Sequence, residues 1–171
     1  YFLGFLALGV TFVIATGEID FSIGPVMFCA ALIGGKLFVD GVPMGACLII
    51  TILVGLVFGL FSGFLVAYMG LPSFISSMAV MMLSKGIGSV FTKTQAMSWP
   101  QSSGEGGWYK NLINMNVGGT DIPTGLIILL IVAVICGIIL NNTKAGRYIL
   151  CLGSTQEAVR ISGVVVKKWK L

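Results

Sequence analysis

Hydrophobic residues in this chain fall in long blocks separated by short polar stretches, a pattern of membrane helices and not of one-faced helices or alternating strands. A bilayer core about 30 Å thick takes about 20 apolar helical residues. Residues 46–69 meet that length, and Gly70-Leu71-Pro72 ends the run, since glycine suits a helix C-cap and proline cannot continue a helix. Ser73 is expected to cap a second helix over 74–91, so that the two make a tight hairpin. A last span is expected over 122–140, opened by Asp121 and Pro123 as the acid and proline favoured in a first turn. Residues 1–15 have the character of the end of a span. Residues 25–39 are too short alone, at about 1.5 Å per residue, unless their helix begins nearer Asp20 or Ser22. Four to five membrane passages are expected, and the chain is expected to be an interior piece of a longer protein.

The stretch 141–171 breaks the pattern. Six of the ten basic residues lie in it (Lys144, Arg147, Arg160, Lys167, Lys168 and Lys170) against one acid, Glu157. A short basic segment beside a spanning helix stays on the cytoplasmic face. Alternating sides backward then places 92–120 outside, with Trp99, Trp108 and Tyr109 expected as interface anchors. That loop is open to two readings, a docking surface for an extracytoplasmic partner or a wet connector. Within the tail, Ser154-Thr155-Gln156-Glu157 has the form of a capping box. It predicts a short helix over 155–162 with Ala158 and Ile161 on one side, Glu157 and Arg160 paired at i,i+3, and Gly163 as a left-handed cap. A helix that short needs something to pack against. Anionic lipid and a protein groove both qualify.

Composition sets the class. Soluble domains carry about 25% charged residues, whereas this chain has 9% charged and 57% hydrophobic residues. The expectation is an all-α integral membrane protein, a polytopic transmembrane helix bundle, with residues 1–140 as the transmembrane helices and the extracytoplasmic loop 92–120 among them, and 141–171 as a cytoplasmic segment. Cys29, Cys47, Cys136 and Cys151 are far apart and mostly inside apolar runs, so they suit small core positions and not a disulfide framework or metal site. With no histidine and no carboxylate cluster, a metalloenzyme or triad hydrolase lacks its groups. No catalysis, metal, cofactor or nucleic-acid partner is expected.

Two constellations carry polar or conformational signals. Gly55, Gly59 and Gly63 recur every four residues and share one helix face, suited either to close packing inside the subunit or, with Ser62, to a substrate path or subunit seam. In Thr16-Gly17-Glu18-Ile19-Asp20-Phe21-Ser22-Ile23-Gly24-Pro25, two carboxylates and three helix-breaking residues interrupt apolar sequence. Irregular backbone at membrane depth is tolerated only where protein or water satisfies it. Capping by Asp20 or Ser22 with a structural break is one reading. A proton or sodium site at Glu18 and Asp20, making an ion-coupled secondary transporter, is the other.

Glu157-Ala158-Val159, three residues, then Gly163 resembles the EAA loop of ABC importer permeases. The wider run Thr143-Lys144-Ala145-Gly146-Arg147-Tyr148, then Gly153, then Glu157-Ala158-Val159-Arg160-Ile161-Ser162-Gly163-Val164 resembles the T-x-x-G-R-Y … G … E-A-A-R-x-S-G-I stretch of the ribose, xylose and autoinducer-2 type permeases. Residues 16–24 resemble that family's T-G-G-I-D-L-S-V-G segment, and 62–75 its N-G-x-L-V-A-Y-x-x-x-P-S-F-I segment. The order is also the family's. Glu18 stands where the family often has glycine, Val159 replaces the second alanine of the core, and Ser62 stands where asparagine is common.

The resemblance implies part of a type II-like ABC importer permease for a sugar or similar solute, in the cell's inner membrane, with a short cytoplasmic coupling helix. It implies ATP-binding cassette subunits, an extracytoplasmic solute-binding protein and a second permease subunit, identical or paralogous, as partners within the lipid bilayer. Coupling to the ATPase would fall to Gly146, Arg147, Gly153, Glu157, Ala158, Arg160, Ser162 and Gly163. Asp20, Ser22 and Ser62 are polar candidates along a substrate path, and Phe21 offers an apolar stacking face.

Overall fold

The computed structural model describes residues 2–101, 104, 106–117, 120–161 and 166. Five apolar helices make up the bundle: α1 (Phe2–Ala15), α2 (Ile23–Val39), α3 (Met44–Ala67), α4 (Ser73–Thr92) and α6 (Thr124–Asn142). Between α4 and α6 lie a short helix, α5 (Trp108–Ile113), and a hairpin of β1 (Met115–Val117) and β2 (Thr120–Ile122), paired antiparallel with Asn116 opposite Asp121. Two further helices, α7 (Lys144–Ser154) and α8 (Gln156–Ile161), follow α6. Among the described residues α3, α4 and α6 are long and apolar enough to cross a membrane, while α1 and α2 are shorter.

Helix α2 packs against both α3 and α4, and α1 packs against α6 and α7. The core is small: Cys29, Phe58 and Val80, flanked by Val26, Ile33, Val54 and Leu65. Small residues bring α2 and α4 together, for a Cβ on Gly88 would stand 3.6 Å from the Cys29 Cα. The inward face of α4 is rich in hydroxyls, and each buried one is satisfied. Ser77 donates to the Phe74 carbonyl, Ser84 to Met81 and Thr92 to Gly88, while Ser76 reaches across to the Ser62 carbonyl of α3 at 3.3 Å. Outward faces are apolar. Leu130, Ile131, Val134 and Ile138 of α6 are each more than half exposed, an arrangement stable in hydrocarbon and aggregation-prone in water.

Several helix ends differ from the sequence-based expectations. Helix α6 starts at Thr124 with Pro123 as its N-cap, because Asp121 is taken into β2. Pro72, not Ser73, holds the N-cap position of α4. The Ser154 hydroxyl donates to the Cys151 carbonyl as the last residue of α7, so no capping box forms there. The chain breaks instead at extended Thr155, whose carbonyl accepts from Val159. Trp99 lies on Gly34 and Gly35 of α2, where a Cβ would approach its ring to 3.2 Å, and Tyr109 packs edge-on against it at 5.7 Å. Only Trp108 of the three aromatics is exposed.

Candidate functional site

Helix α1 ends in a Schellman motif. Gly17 is left-handed (φ +76°), its N–H donates to Ile14 and the Glu18 N–H donates to Val13. From there to α2 the chain is irregular, and three side-chain hydrogen bonds help to hold it. Asp20 Oδ1 accepts from both the backbone N–H and the hydroxyl of Ser22, each at 2.6 Å. The Ile19 N–H donates to the Ser73 hydroxyl at the start of α4, 3.2 Å away. Of the two caps that the sequence offers, Asp20 makes the bonds; Ser22 occupies the N-cap position without capping by its side chain.

This break forms one wall of a cavity of about 380 Å³. Thr16, Glu18, Asp20, Ser62, Ser73 and Ser77 give it a polar lining, and Phe12, Val13, Val66 and Ile149 an apolar one. Gly59 and Gly63 also line it, which explains their absence of side chain. No atom stands within 4 Å of a Cβ built on Gly55 or Gly59, so within the described chain those two glycines do not draw another backbone close. The cavity therefore unites Asp20, Ser62, Gly59 and Gly63 but leaves out two other candidates. Phe21 sets its ring edge-on to Phe74 at 5.8 Å, and Ser22 is buried with its hydroxyl given to Asp20. Ser73 and Ser77, missed by sequence reasoning, carry a readable signal: hydroxyls at i and i+4 share a helix face. Chemically, hydroxyls and carboxylates between apolar walls offer hydrogen bonds to a small polar solute. No group of three or more metal-ligating side chains occurs among the described residues.

Helix α7 closes the same end of the bundle. Thr143 caps it by accepting from the Gly146 N–H at 3.2 Å, and a side chain at Gly146 would collide with the Ile139 and Leu140 carbonyls of α6. At the far end a Cβ on Gly153 would collide with the Ala15 carbonyl, and one on Gly17 would stand 3.2 Å from the Gly153 oxygen. Leu152 and Val159 are buried anchors for α7 and α8. Val159 of α8 is buried, whereas Ile161 is 80% exposed. Glu157 and Arg160 pair at 3.7 Å as the i,i+3 spacing predicts, and both, like Arg147, are exposed. Ala158 lies within α8, whereas Ser162 and Gly163 lie outside the described residues.

Spanning apolar helices, a polar cavity at a helix break and a flanking amphipathic helix mark a multi-pass membrane protein. The chain belongs to the family described as branched-chain amino acid transport system / permease component, which matches residues 1–171. It is 32% identical over 168 residues to the fructose import permease protein FruG of Bifidobacterium longum, covering 95% of this chain and 49% of that one. With the ribose import permease protein RbsC of Haemophilus influenzae it shares 30% over 167 residues, 97% of this chain and 50% of the other. With the autoinducer 2 import system permease protein LsrD of Yersinia pestis it shares 26% over 169 residues, 97% and 50% respectively. The chain spans about half the length of the curated relatives it matches. No solved structure matches it. Family and apolar helices together make it a multi-pass protein of the inner membrane.

Proposed function

We propose that the chain is part of the membrane-spanning permease subunit of an ATP-driven importer that moves a sugar or sugar-like solute inward. The observation that carries this reading is the contact between α7 and the helix break: Ile149 of α7 lines the cavity, and Gly153 lies against Gly17. A push on α7 and α8 is thereby delivered to the cavity wall, because packed helices tilt as rigid bodies. The chain supplies the path and the lever; ATP hydrolysis belongs to cassette subunits, and a solute-binding protein delivers the cargo from outside. A second permease subunit, identical or paralogous, completes the path. The names of the similar import permeases support a sugar-like cargo.

Residues 1–140 form the membrane part in this reading, with α1 and α2 entering the bilayer alongside the three longer helices, and 141–171 the cytoplasmic coupling segment. Gly146 and Gly153 seat α7 on α6 and α1, while coupling to the ATPase is assigned in this reading to Arg147, Glu157, Ala158, Arg160, Ser162 and Gly163. Ion-coupled transport through Asp20 and Glu18 receives no support from the import permeases the chain resembles, and one Asp20 oxygen is already engaged by Ser22.

Affinity purification of the full-length permease from native membranes tests the reading. A Walker-motif ATPase copurifies, and uptake into reconstituted vesicles requires ATP and survives a protonophore. Uptake that persists without ATP and collapses with the ionophore overturns it.

A further inference from the structure

Lys85 is a cation near the middle of a membrane helix and is exposed. At a rise of about 1.5 Å per residue it stands roughly 18 Å from the Ser73 end of α4 and roughly 10 Å from the Thr92 end. Side chains in a helix lean toward its N-terminus, so Lys85 leans toward the more distant membrane face, which works against snorkelling to the nearer one. An unpaired charge at that depth is costly, and such residues face protein partners or water-filled cavities. Among the described residues Lys85 makes no ion pair; the pairs they form are Lys36 with Asp40 and Arg160 with Glu157.

Its surroundings choose between the two. The hydroxyl-rich face of α4, with Ser73 and Ser77 on the cavity, is the inward one. Lys85 stands on a different strip, with Met78, Met82 and Ser89, spaced i, i+4, i+7 and i+11 and all exposed. That spacing is a helix–helix seam, and methionines adapt to irregular contacts. Beside it Gly86 has open space where a Cβ would be, leaving room for a second backbone.

We infer that this strip docks a transmembrane helix carrying one aspartate or glutamate at the depth of Lys85, and that this helix is not a second copy of α4. A copy related by an axis normal to the membrane keeps every residue at its own depth and would set Lys85 against Lys85. The described acids do not reach that level either. The bond between Ile19 and Ser73 ties the segment of Glu18 and Asp20 to the start of α4, Asp40 follows the far end of α2, Asp121 precedes α6, and Glu157 lies in α8. The inference rests only on α4 spanning the membrane, not on the transported solute or the energy source.

The test uses the complete transporter in its native membrane. A benzoylphenylalanine photoprobe at position 82 crosslinks to an apolar segment containing a carboxylate, which peptide mass spectrometry identifies. Lys85→Met lowers the yield of folded, detergent-extractable transporter by about tenfold or more, as loss of one partner leaves the other charge buried. Lys85→Arg retains the yield, and Lys85→Met combined with neutralisation of the crosslinked carboxylate restores it. Crosslinks to phospholipid alone, to α4 of a second copy or to a segment without an acid, or wild-type yield of Lys85→Met, each overturn the inference.

Discussion

Gly17 and Gly153, 136 positions apart by their numbering, meet backbone to backbone: a Cβ on Gly17 would stand 3.2 Å from the Gly153 carbonyl oxygen. Gly17 must be glycine twice over, for this approach and for its left-handed φ of +76°. The contact ties the end of α1, where the cavity wall begins, to the end of α7.

Gly153→Val therefore pries α7 from α1 while leaving both helices intrinsically able to form. The expected result in vesicles reconstituted with the whole transporter is at least about a tenfold loss of uptake, equivalent to about 1.4 kcal/mol, with ATPase activity retained. Gly17→Ala adds left-handed strain of about 1–2 kcal/mol and lowers thermal stability in detergent as well. Uptake at wild-type level in Gly153→Val would show that the joint transmits nothing.

Gly59 and Gly55 lie one turn apart on α3, yet only Gly59 lines the cavity. Gly59→Leu fills the path and reduces uptake, whereas Gly55→Leu, in open space, leaves it near normal. Both replacements favour the helix by about 0.8–1 kcal/mol, so expression does not separate them. Solute uptake at matched protein levels does, and equal behaviour of the two variants would remove Gly59 from the path.

Glu157 and Arg160 form a pair exposed to solvent, so the pair contributes no more than about 0.5 kcal/mol to α8. Glu157→Lys leaves the membrane helices and their insertion intact. Gly163→Pro alters the chain just beyond α8 and is expected to act in the same way. Each abolishes uptake and retention of the ATPase on an affinity column; unimpaired retention with full uptake would place the coupling contact elsewhere.

Burial against Trp99 pushes the Tyr109 phenol above its ordinary value, because the phenolate loses solvation. A raised folded-state pKa leaves packing unpenalised below about pH 10 and weakens it as pH rises further. In a variant retaining Trp99 as its sole tryptophan, fluorescence shifts to the red above that pH. A red shift with its midpoint at or below the free-phenol value of about 10 would mean that the ring pair is not buried in solution.

Much of the candidate site was legible in the chain because its signals are local. Gly70 adopts the left-handed conformation at the helix end where glycine was expected, and Asp20 bonds two residues ahead as short polar side chains do. Helix α7 was not among the predicted elements: its signals, the Thr143-x-x-Gly146 cap and the apolar face of Tyr148, Ile149 and Leu152, are short and lie in a basic stretch with no long apolar run. The roles of Ser73 and Ser154 were misassigned for one reason. A serine hydroxyl takes whichever partner the fold brings near, and for Ser73 that is the Ile19 N–H from the irregular segment between α1 and α2.

Residue chemistry alone dictated membrane class, the helix break and a basic tail with its short helix, since hydrophobic run length, glycine conformation and charge act over a few neighbours. Assembly in three dimensions settled the rest: that Gly59 opens onto a cavity while Gly55 does not, that Trp99 turns inward, and that Gly153 lies on Gly17. Each of those depends on which helices pack together, and the energies that choose neighbours are sums over distant surfaces that no short stretch of sequence contains.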